Sequence, residues 1–298
     1  MILLLGSSGY VGSAFKKYFA DKEINFVTNS IRYPIDIIDF KSYLKDNNIK
    51  SIINCSGYVG YPNVDSCEDD KIECFFSNGL LPRQVAEAAS SFSIPHIFIS
   101  SGCIFFDEAC EQGLPPSIEF TNRDTPNFTF DQEYRSFYSG TKDLGEKLLK
   151  PFSNTSICRL RIPFNGEVNH RNYIYKIINY PKLVNCTNSL SNLDEFVDAC
   201  YKISEFMQTT KFTVGAKFYN LTQPGWVTTA DVVDLLKKHN IIDHKEYFSP
   251  YEEFLKTVQA PRSNCVLKSC SERSDAPFIL TPVRESLENA IIQYHNNL

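Results

Sequence analysis

The feature that most constrains the fold is a glycine-rich turn near the start of the chain. The apolar run 2–5 leads into Gly6-Ser-Ser-Gly9-Tyr-Val-Gly12, and a helical pattern then continues to about Asp21. In such a strand–turn–helix unit the glycines permit a tight turn, backbone approach to a pyrophosphate, and close helix–strand packing. An ordinary glycine turn is the alternative, and the position directly after a strand disfavours it. The motif predicts that a dinucleotide contacts Gly6, Gly9, Tyr10, Val11 and Gly12.

Later segments continue the alternation of strands and helices that a doubly wound sheet requires. We predict strands at 24–29, 49–55, 95–100, 155–162 and 217–221, and helices at 72–92, 138–149 and 194–208, the first of them interrupted near Asn78-Gly79. The fold class is therefore α/β, with a Rossmann-type doubly wound parallel sheet and a smaller C-terminal substrate-binding lobe. We expect the NADP-binding domain to span 1–155, with elements near 194–222 packing back on it, and the substrate-binding lobe to span 156–298.

Charge and cysteine content exclude several other classes of protein. The net charge is −5 and no block of Lys or Arg occurs, so nucleic acid and anionic membranes are poor partners. The first apolar run is too short for a signal peptide or a membrane span. The ten cysteines form no Cys-x-x-Cys pair and do not cluster with the five histidines, so we expect no metal site and a reducing, cytoplasmic compartment.

The second strand bears on the choice of cofactor. It ends without the acidic residue that binds a ribose 2′-hydroxyl, and Arg32 follows it. An arginine there can meet a 2′-phosphate, which favours NADPH, with NADH as the alternative. A solvated loop arginine is nearly as good an interpretation of Arg32. The residues Cys55, Ser56 and Gly57 follow the next strand and are small enough for the cofactor to lie across them.

A hydroxyl, a tyrosine and a lysine then occur in the order that carbonyl reduction needs. Ser101 follows the strand at 95–100, and Tyr138 and Lys142 are four residues apart, so they share one helix face. Lys142 is expected to lower the pKa of the phenol and to hold ribose hydroxyls. Tyr138 is then the acid toward a carbonyl oxygen, and Ser101 donates a second hydrogen bond. A Tyr-x-x-x-Lys spacing is common by chance, and its place after the glycine turn and the Ser101 strand gives it weight.

Strings along nearly the whole chain resemble the plant-type bifunctional UDP-4-keto-6-deoxyglucose 3,5-epimerase/4-reductase family, which makes UDP-L-rhamnose. The family is a branch of the extended short-chain dehydrogenases/reductases, near dTDP-4-dehydrorhamnose reductase. The resembling strings are Asn54–Glu68, Gly102–Phe105, Asp124–Thr129, Ser136–Lys142, Arg159–Pro163, Asn172–Ile177, Asn220–Gly225 and Ala260–Asn264.

The resemblance implies two successive reactions on one sugar. Reduction at C4 falls to Ser101, Tyr138 and Lys142, and epimerisation at C3 and C5 falls to Cys103 and Lys176 as an acid/base pair. One or both of the latter must have a shifted pKa, and a mutual charge effect is one means. The substrate-facing residues are expected to be Asn63, Val64, Asn172, Arg262 and Asn264, with Arg262 and Asn264 at the diphosphate.

Two departures and two alternatives accompany the resemblance. Residues 130–135 form an insertion that could alter a lid, and Gly140 should loosen its helix by about 1 kcal/mol. A separate 4,6-dehydratase is expected upstream, and a homodimer is an open expectation. The alternatives are a dTDP-4-dehydrorhamnose 4-reductase in which Cys103 is only a packed thiol, and a non-catalytic NADP-binding regulatory subunit; the intact Ser101, Tyr138 and Lys142 argue against the latter.

Overall fold

A computed structural model describes all residues, 1–298. It contains fourteen strands: β1 Ile2–Leu5, β2 Phe26–Asn29, β3 Ser51–Asn54, β4 His96–Ser101, β5 Glu119–Phe120, β6 Thr155–Leu160, β7 Pro163–Phe164, β8 Lys182–Leu183, β9 Thr187–Asn188, β10 Ser191–Asn192, β11 Lys217–Asn220, β12 Val227–Thr228, β13 Glu246–Tyr247 and β14 Val266–Leu267. It contains twelve α-helices: α1 Tyr10–Asp21, α2 Ile37–Asp46, α3 Ser66–Asp69, α4 Lys71–Phe75, α5 Leu81–Ser90, α6 Glu108–Glu111, α7 Phe137–Leu149, α8 Tyr173–Asn179, α9 Leu193–Thr209, α10 Thr229–Lys238, α11 Tyr251–Leu255 and α12 Val283–Asn296.

The centre of the molecule is a six-stranded parallel sheet in the order β11-β6-β4-β3-β1-β2. Its strands are apolar and almost wholly buried, as expected where helices cover both faces. In β1, Ile2 and Leu4 face the core formed with α1 and α9, whereas Leu3 and Leu5 face the core formed with α2 and α5. The predicted doubly wound α/β fold is confirmed.

The order of the sheet reverses between β1 and β3, which makes the carboxyl ends of these two strands the switch point where ligands bind in such folds. The glycine turn after β1 and residues 55–57 after β3 meet there. The sheet continues through β6, past the boundary expected at residue 155, and recruits β11 at its outer edge. No helix of the structure is both long and apolar enough to cross a membrane.

A second apolar core lies in the C-terminal half. It is formed by side chains of α8, α10 and α12 together with Phe164 and Leu190, and it shares no member with the cores of the large sheet. Short two-stranded pairs connect further segments of the chain. Strand β10 pairs with β7, and β14 in the C-terminal part pairs with β5, which follows β4 in the chain. Helix α8, which carries Lys176, therefore belongs to a lobe with its own core beside the cofactor sheet.

The helical segment predicted at 72–92 is interrupted where we expected it. Helices α4 and α5 are joined by a π-helical turn at 76–80, which contains Asn78. The side chain of Asn78 accepts a hydrogen bond from the Tyr58 amide at 3.0 Å and donates one to the Tyr58 carbonyl at 2.8 Å. The irregular turn thus fixes the loop that follows β3 beside the switch point.

Candidate active site

The glycine turn is packed so tightly that two of its positions exclude any side chain. Gly6 has a φ of +70°, and a Cβ there would lie 2.6 Å from backbone atoms of Cys55 and Ser56. A Cβ on Gly12 would lie 2.1 Å from the Gly6 carbonyl oxygen. Strand β1, helix α1 and the end of β3 are therefore drawn together at the switch point, as the motif predicts.

The N-terminus of α1 is open for an anion. Its N-cap is Gly9, which is exposed, and no side chain caps the helix. The amides of the first turn, on Tyr10, Val11 and Gly12, are therefore free of side-chain caps and can donate to a phosphate. The Tyr10 hydroxyl donates to Asn165 Oδ1 at 3.1 Å, which leaves the backbone amide of Tyr10 as the group that could bind a cofactor.

The expected 2′-phosphate partner is available. Arg32 is exposed and lies in the loop after β2, whose last residue is Asn29. At the neighbouring strand end, Ser56 donates its amide to Asn54 Oδ1 at 3.1 Å, and a Cβ on Gly57 would lie 3.2 Å from Lys142 Nζ. These residues fit a dinucleotide phosphorylated on its ribose, with Lys142 at the second ribose.

Helix α7 carries Tyr138 and Lys142, and Lys142 lies beside Gly57 at the carboxyl end of β3. Ser136 caps the helix by accepting from the Ser139 amide at 3.1 Å, and Glu68 accepts from the Phe137 amide at 2.7 Å, so the first turn is held from two sides. Lys142 is buried, which lowers the pKa of its amine, and its Nζ donates to the Ile99 carbonyl at 3.3 Å. We expected Lys142 to lower the Tyr138 pKa, but burial dominates and raises the phenol pKa well above its ordinary value. The Tyr138 side chain is therefore a neutral phenol at neutral pH.

Ser101 interacts with both Tyr138 and Cys103. It ends β4, and its hydroxyl accepts from the Cys103 amide at 3.2 Å, which fixes the short 3₁₀ turn 102–104. Hydrogen bonding by Ser101 also lowers the pKa of both Tyr138 and Cys103 against the effect of burial. Burial still raises the pKa of the Cys103 thiol to about 11, and the charges of Arg161 and Lys142 oppose it. At neutral pH Cys103 is therefore a thiol.

One cavity of about 410 Å³ gathers most of the predicted catalytic and substrate-facing residues. It is lined by Ser101, Cys103, Tyr138, Lys176, Val64, Arg262 and Asn264 among others. An aromatic wall of Tyr173, Tyr180, Tyr251 and Phe254 completes it. A larger cavity of about 620 Å³ lies on the other side of α7, is walled by charged side chains that are mostly paired with one another, and contains none of the predicted site residues.

Lys176 is tuned by its own surroundings. Burial and the positive charges of Arg171 and Arg262 lower the pKa of its amine to about 8. The mutual effect with Cys103 that we considered is not the cause. A lysine with a pKa near 8 is partly a free amine at neutral pH and can accept a proton.

Three predicted substrate residues are committed to protein contacts. Asn172 is fully buried and caps α8, where it accepts from the Ile174 amide at 3.0 Å and donates to the Glu167 carbonyl at 2.7 Å. Asn172 is not part of the cavity lining, and its position before a helix was a capping signal in the sequence. Asn63 stands outside the cavity lining and accepts from the Asp65 amide at 2.8 Å. Arg262 lines the cavity but forms a bidentate ion pair with Asp65, at 2.7 and 3.0 Å.

The insertion at 130–135 is anchored along α7. The Phe130 ring occupies the space that a side chain at position 140 would need, since a Cβ on Gly140 would lie 2.4 Å from it. Asp131 pairs with Lys147 at 2.9 Å, and Tyr134 donates to Glu111 at 2.8 Å. The prediction that Gly140 only weakens its helix was therefore incomplete, because the glycine is what lets the insertion dock.

Sequence reasoning assigned no role to Arg161, which lines the cavity beside Cys103. It is only 3% exposed. A charged residue at the end of an apolar strand was the available signal, because arginine is almost never buried without a partner or a purpose.

Comparison with known proteins agrees with this geometry. Residues 1–182 match the family model described as the RmlD substrate binding domain. Over 292 residues the chain is 31% identical to a bifunctional dTDP-4-dehydrorhamnose 3,5-epimerase/dTDP-4-dehydrorhamnose reductase of Arabidopsis thaliana, covering 96% of this chain and 90% of that protein. It is also 30% identical to the trifunctional UDP-glucose 4,6-dehydratase/UDP-4-keto-6-deoxy-D-glucose 3,5-epimerase/UDP-4-keto-L-rhamnose-reductase of that plant, covering 96% of this chain and 40% of the relative.

Solved structures show the same fold. The crystal structure of a UDP-rhamnose synthase from Acanthamoeba polyphaga mimivirus superposes with a TM-score of 0.81 at 25% identity, covering 97% of this chain and 98% of that one. A dTDP-4-dehydrorhamnose reductase from Bacillus anthracis, solved in complex with NADP, superposes with a TM-score of 0.76 at 16% identity, covering 100% and 99% of the two chains.

Proposed function

The chain belongs to the RmlD family and is an oxidoreductase of the dTDP/UDP-4-dehydrorhamnose reductase type, and from this premise we propose that it also epimerises its substrate at C3 and C5 before reducing it. The proposed overall reaction converts UDP-4-keto-6-deoxy-D-glucose to UDP-L-rhamnose. The observation that carries the proposal is the convergence of Cys103 and Lys176 on the cavity that holds Ser101 and Tyr138.

NADPH is the cofactor that the cradle fits. The uncapped N-terminus of α1 would hold the pyrophosphate, Arg32 the 2′-phosphate, and Lys142 the ribose hydroxyls. When bound, the dinucleotide supplies the hydride that reduces the C4 ketone. Tyr138, kept neutral by burial, donates the proton to the C4 oxygen, and the Ser101 hydroxyl stabilises the developing charge.

Epimerisation uses the same oxygen-binding groups. Protons at C3 and C5 are acidic because they lie alpha to the C4 ketone. Lys176, as a free amine, removes one of them, and the electron pair of the C–H bond becomes an enolate whose oxygen Ser101 and Tyr138 stabilise. The Cys103 thiol then protonates the carbon from the other face, which inverts that centre. The pKa values near 8 for Lys176 and near 11 for Cys103 favour this assignment of base and acid at neutral pH.

The nucleotide is proposed to be UDP. The relatives that support this choice are the trifunctional plant protein, named for UDP sugars, and the viral UDP-rhamnose synthase. The bifunctional plant protein, named for dTDP sugars, supports the competing choice. A 4,6-dehydratase activity is proposed to supply the substrate, since the trifunctional relative carries that activity beside its epimerase and reductase.

The test is incubation of the purified protein with the UDP and the dTDP form of 4-keto-6-deoxyglucose plus NADPH in deuterium oxide. We expect an L-rhamnosyl product that carries deuterium at C3 and C5 by NMR. The variant Cys103→Ala should lose inversion while still reducing a sugar that already has the L-configuration. If that variant forms L-product from the D-configured sugar at the wild-type rate, Cys103 is a packing residue and the chain is a 4-reductase alone.

A further inference from the structure

Arg161 lies beside the cysteine to which we assign proton donation. It follows β6 and is buried at the base of the cavity. Gly102 packs against it, since a Cβ on that glycine would lie 3.1 Å from the Arg161 Cδ. The backbone that carries Cys103 therefore rests on the arginine side chain.

The guanidinium of Arg161 has only neutral acceptors. Its Nε donates to the Cys265 carbonyl at 3.2 Å, its Nη2 to the Ser263 carbonyl at 2.8 Å and to Asn188 Oδ1, and its Nη1 to Ser263 Oγ at 3.2 Å. The other buried arginine of this strand region, Arg159, pairs with Glu146 instead. Arg161 has no carboxylate within ion-pair distance, and an uncompensated buried charge is costly.

Two hydrogen-bond donors at this place also lack an acceptor. A guanidinium has five N–H groups, and the four bonds above leave one N–H of Nη1 unused. The Asn264 Nδ2 is buried without any acceptor, while its Oδ1 accepts from Asn188 at 3.2 Å. A positive charge and spare donors at the base of a cavity favour a negative charge nearby.

We propose that Arg161 is a positioning residue that compensates the negative charge on Cys103 Sγ during proton transfer. The inference rests on the proposed epimerase function. When Cys103 gives its proton to the enolate carbon, the electron pair of the C=C bond forms the new C–H bond and the S–H electron pair stays on sulfur. Arg161 acts through this sulfur, and the thiol is restored by a proton from solvent.

The other titratable groups around Cys103 are Tyr138 and Lys142 on α7, Cys67 on α3, and Cys265 ahead of β14. The tyrosine and the two thiols are neutral when protonated. The charge of Lys142 lowers the Cys103 pKa together with that of Arg161, but burial lowers the pKa of Lys142 itself. The charge of Arg161 lowers the Cys103 pKa against the effect of burial. Arginine holds its charge at every accessible pH.

The test compares Arg161→Met, which removes the charge, with Arg161→Lys, which keeps it. The rate of Cys103 alkylation by iodoacetamide is followed by mass spectrometry at that residue as a function of pH. We expect the Met variant to need a higher pH, with about tenfold less thiolate for each unit by which the pKa rises, and the Lys variant to stay near the wild type. Deuterium exchange at C3 and C5 should fall with the thiolate fraction, and by a larger factor than the kcat for reduction of the L-configured 4-keto sugar.

Two outcomes would overturn the role of Arg161 without contradicting the proposed epimerase function of the wild-type protein. One is an unchanged alkylation profile with a raised KM, which would make Arg161 a substrate-binding group for the diphosphate. The other is an equal loss of exchange and reduction with a normal alkylation profile, which would make its role structural. Failure of the wild-type protein to produce any L-configured sugar would instead refute the proposed function itself.

A second comparison leaves Arg161 in place, in case its variants do not fold. Cys103→Asp puts a carboxylate beside the guanidinium, and Cys103→Asn is its neutral isostere. At a pH where the Asp is ionised, we expect the Asp variant to melt at a higher temperature than the Asn variant, and the gap to close as acid protonates the Asp. A lower melting temperature for the Asp variant at every pH would mean that Arg161 does not favour an anion at this position.

Discussion

The ion pair between Arg159 and Glu146 should be the most sensitive polar contact of the fold. Both side chains are only 2% exposed, and the guanidinium donates to both carboxylate oxygens, at 3.0 and 2.7 Å. Ser100 adds a donor to the same carboxylate at 2.6 Å, and the Arg159 guanidinium lies between the rings of Phe105 and Phe218. Together these contacts join α7 to β4 and β6, the elements that carry Tyr138, Lys142 and Ser101.

Glu146→Gln removes the negative charge and leaves the guanidinium buried. Breaking a buried pair by removing one partner costs about 3–5 kcal/mol, because a charge is left without compensation. For large domains about 1 kcal/mol corresponds to about 2–4 °C in the melting temperature, so we expect a fall of roughly 6–20 °C. Urea unfolding followed by circular dichroism gives the free energy of unfolding directly.

Two controls separate this effect from a general loss of an ion pair. Glu253→Gln breaks the exposed pair with Lys182, and we expect little change because solvent screens such pairs. The double variant Glu146→Leu/Arg159→Met replaces both charges by apolar groups and should recover part of the stability lost by Glu146→Gln. If Glu146→Gln destabilises the protein no more than Glu253→Gln does, then Arg159 without Glu146 is not an uncompensated buried charge, and the reasoning is refuted.

Three further predictions concern packing and protonation. Gly140→Ala should destabilise the protein by about 1–3 kcal/mol because its Cβ meets the Phe130 ring, and adding Phe130→Ala should relieve the loss in the same unfolding assay. Deuterium exchange at C3 and C5 should rise with pH up to about 8, where the Lys176 amine is free, and then level off; a profile without that break would exclude Lys176 as the base. Burial lowers the His96 pKa from 6.5 to about 3, so the unfolded state binds more protons than the folded state below about pH 6.5; stability should therefore be complete above that pH and decline by about 1.4 kcal/mol per unit as the pH falls toward 3. Urea midpoints that show no such decline, or an equal decline in His96→Gln, would contradict this.

The sequence predicted well whatever depends on neighbours along the chain. The glycine turn, the strand before it and the helix after it were placed from local pattern, and α1 ends at Asp21 as expected. The Tyr138–Lys142 spacing put both side chains on one face of α7 because a helix repeats every 3.6 residues. The interruption at Asn78 was also visible, since polar and glycine residues break an apolar helical pattern.

What the sequence did not reveal depends on partners far apart in the chain. Arg262 was expected to meet the diphosphate, but Asp65, nearly two hundred residues earlier, holds its guanidinium. Gly140 was expected only to lower the stability of its helix, yet the Phe130 ring packs directly against it. The surroundings of Arg161 come from Asn188, Ser263 and Cys265, so the absence of a carboxylate could be seen only in three dimensions.

The two proposed proton-transfer groups differ in what they require from the fold. Burial and neighbouring cations bring the Lys176 pKa to about 8, close to the pH at which it must work, so Lys176 needs no further help to act as a base. Burial raises the Cys103 pKa to about 11, away from neutral pH. A proton donor with such a high pKa needs its anion, the thiolate, to be stabilised as the proton is transferred. Arg161 is the permanent cation placed to do this, and it is otherwise a buried charge without compensation. Loss of Lys176 should therefore remove the pH dependence of exchange, whereas loss of the Arg161 charge should lower inversion at each pH and leave the break near pH 8 in place.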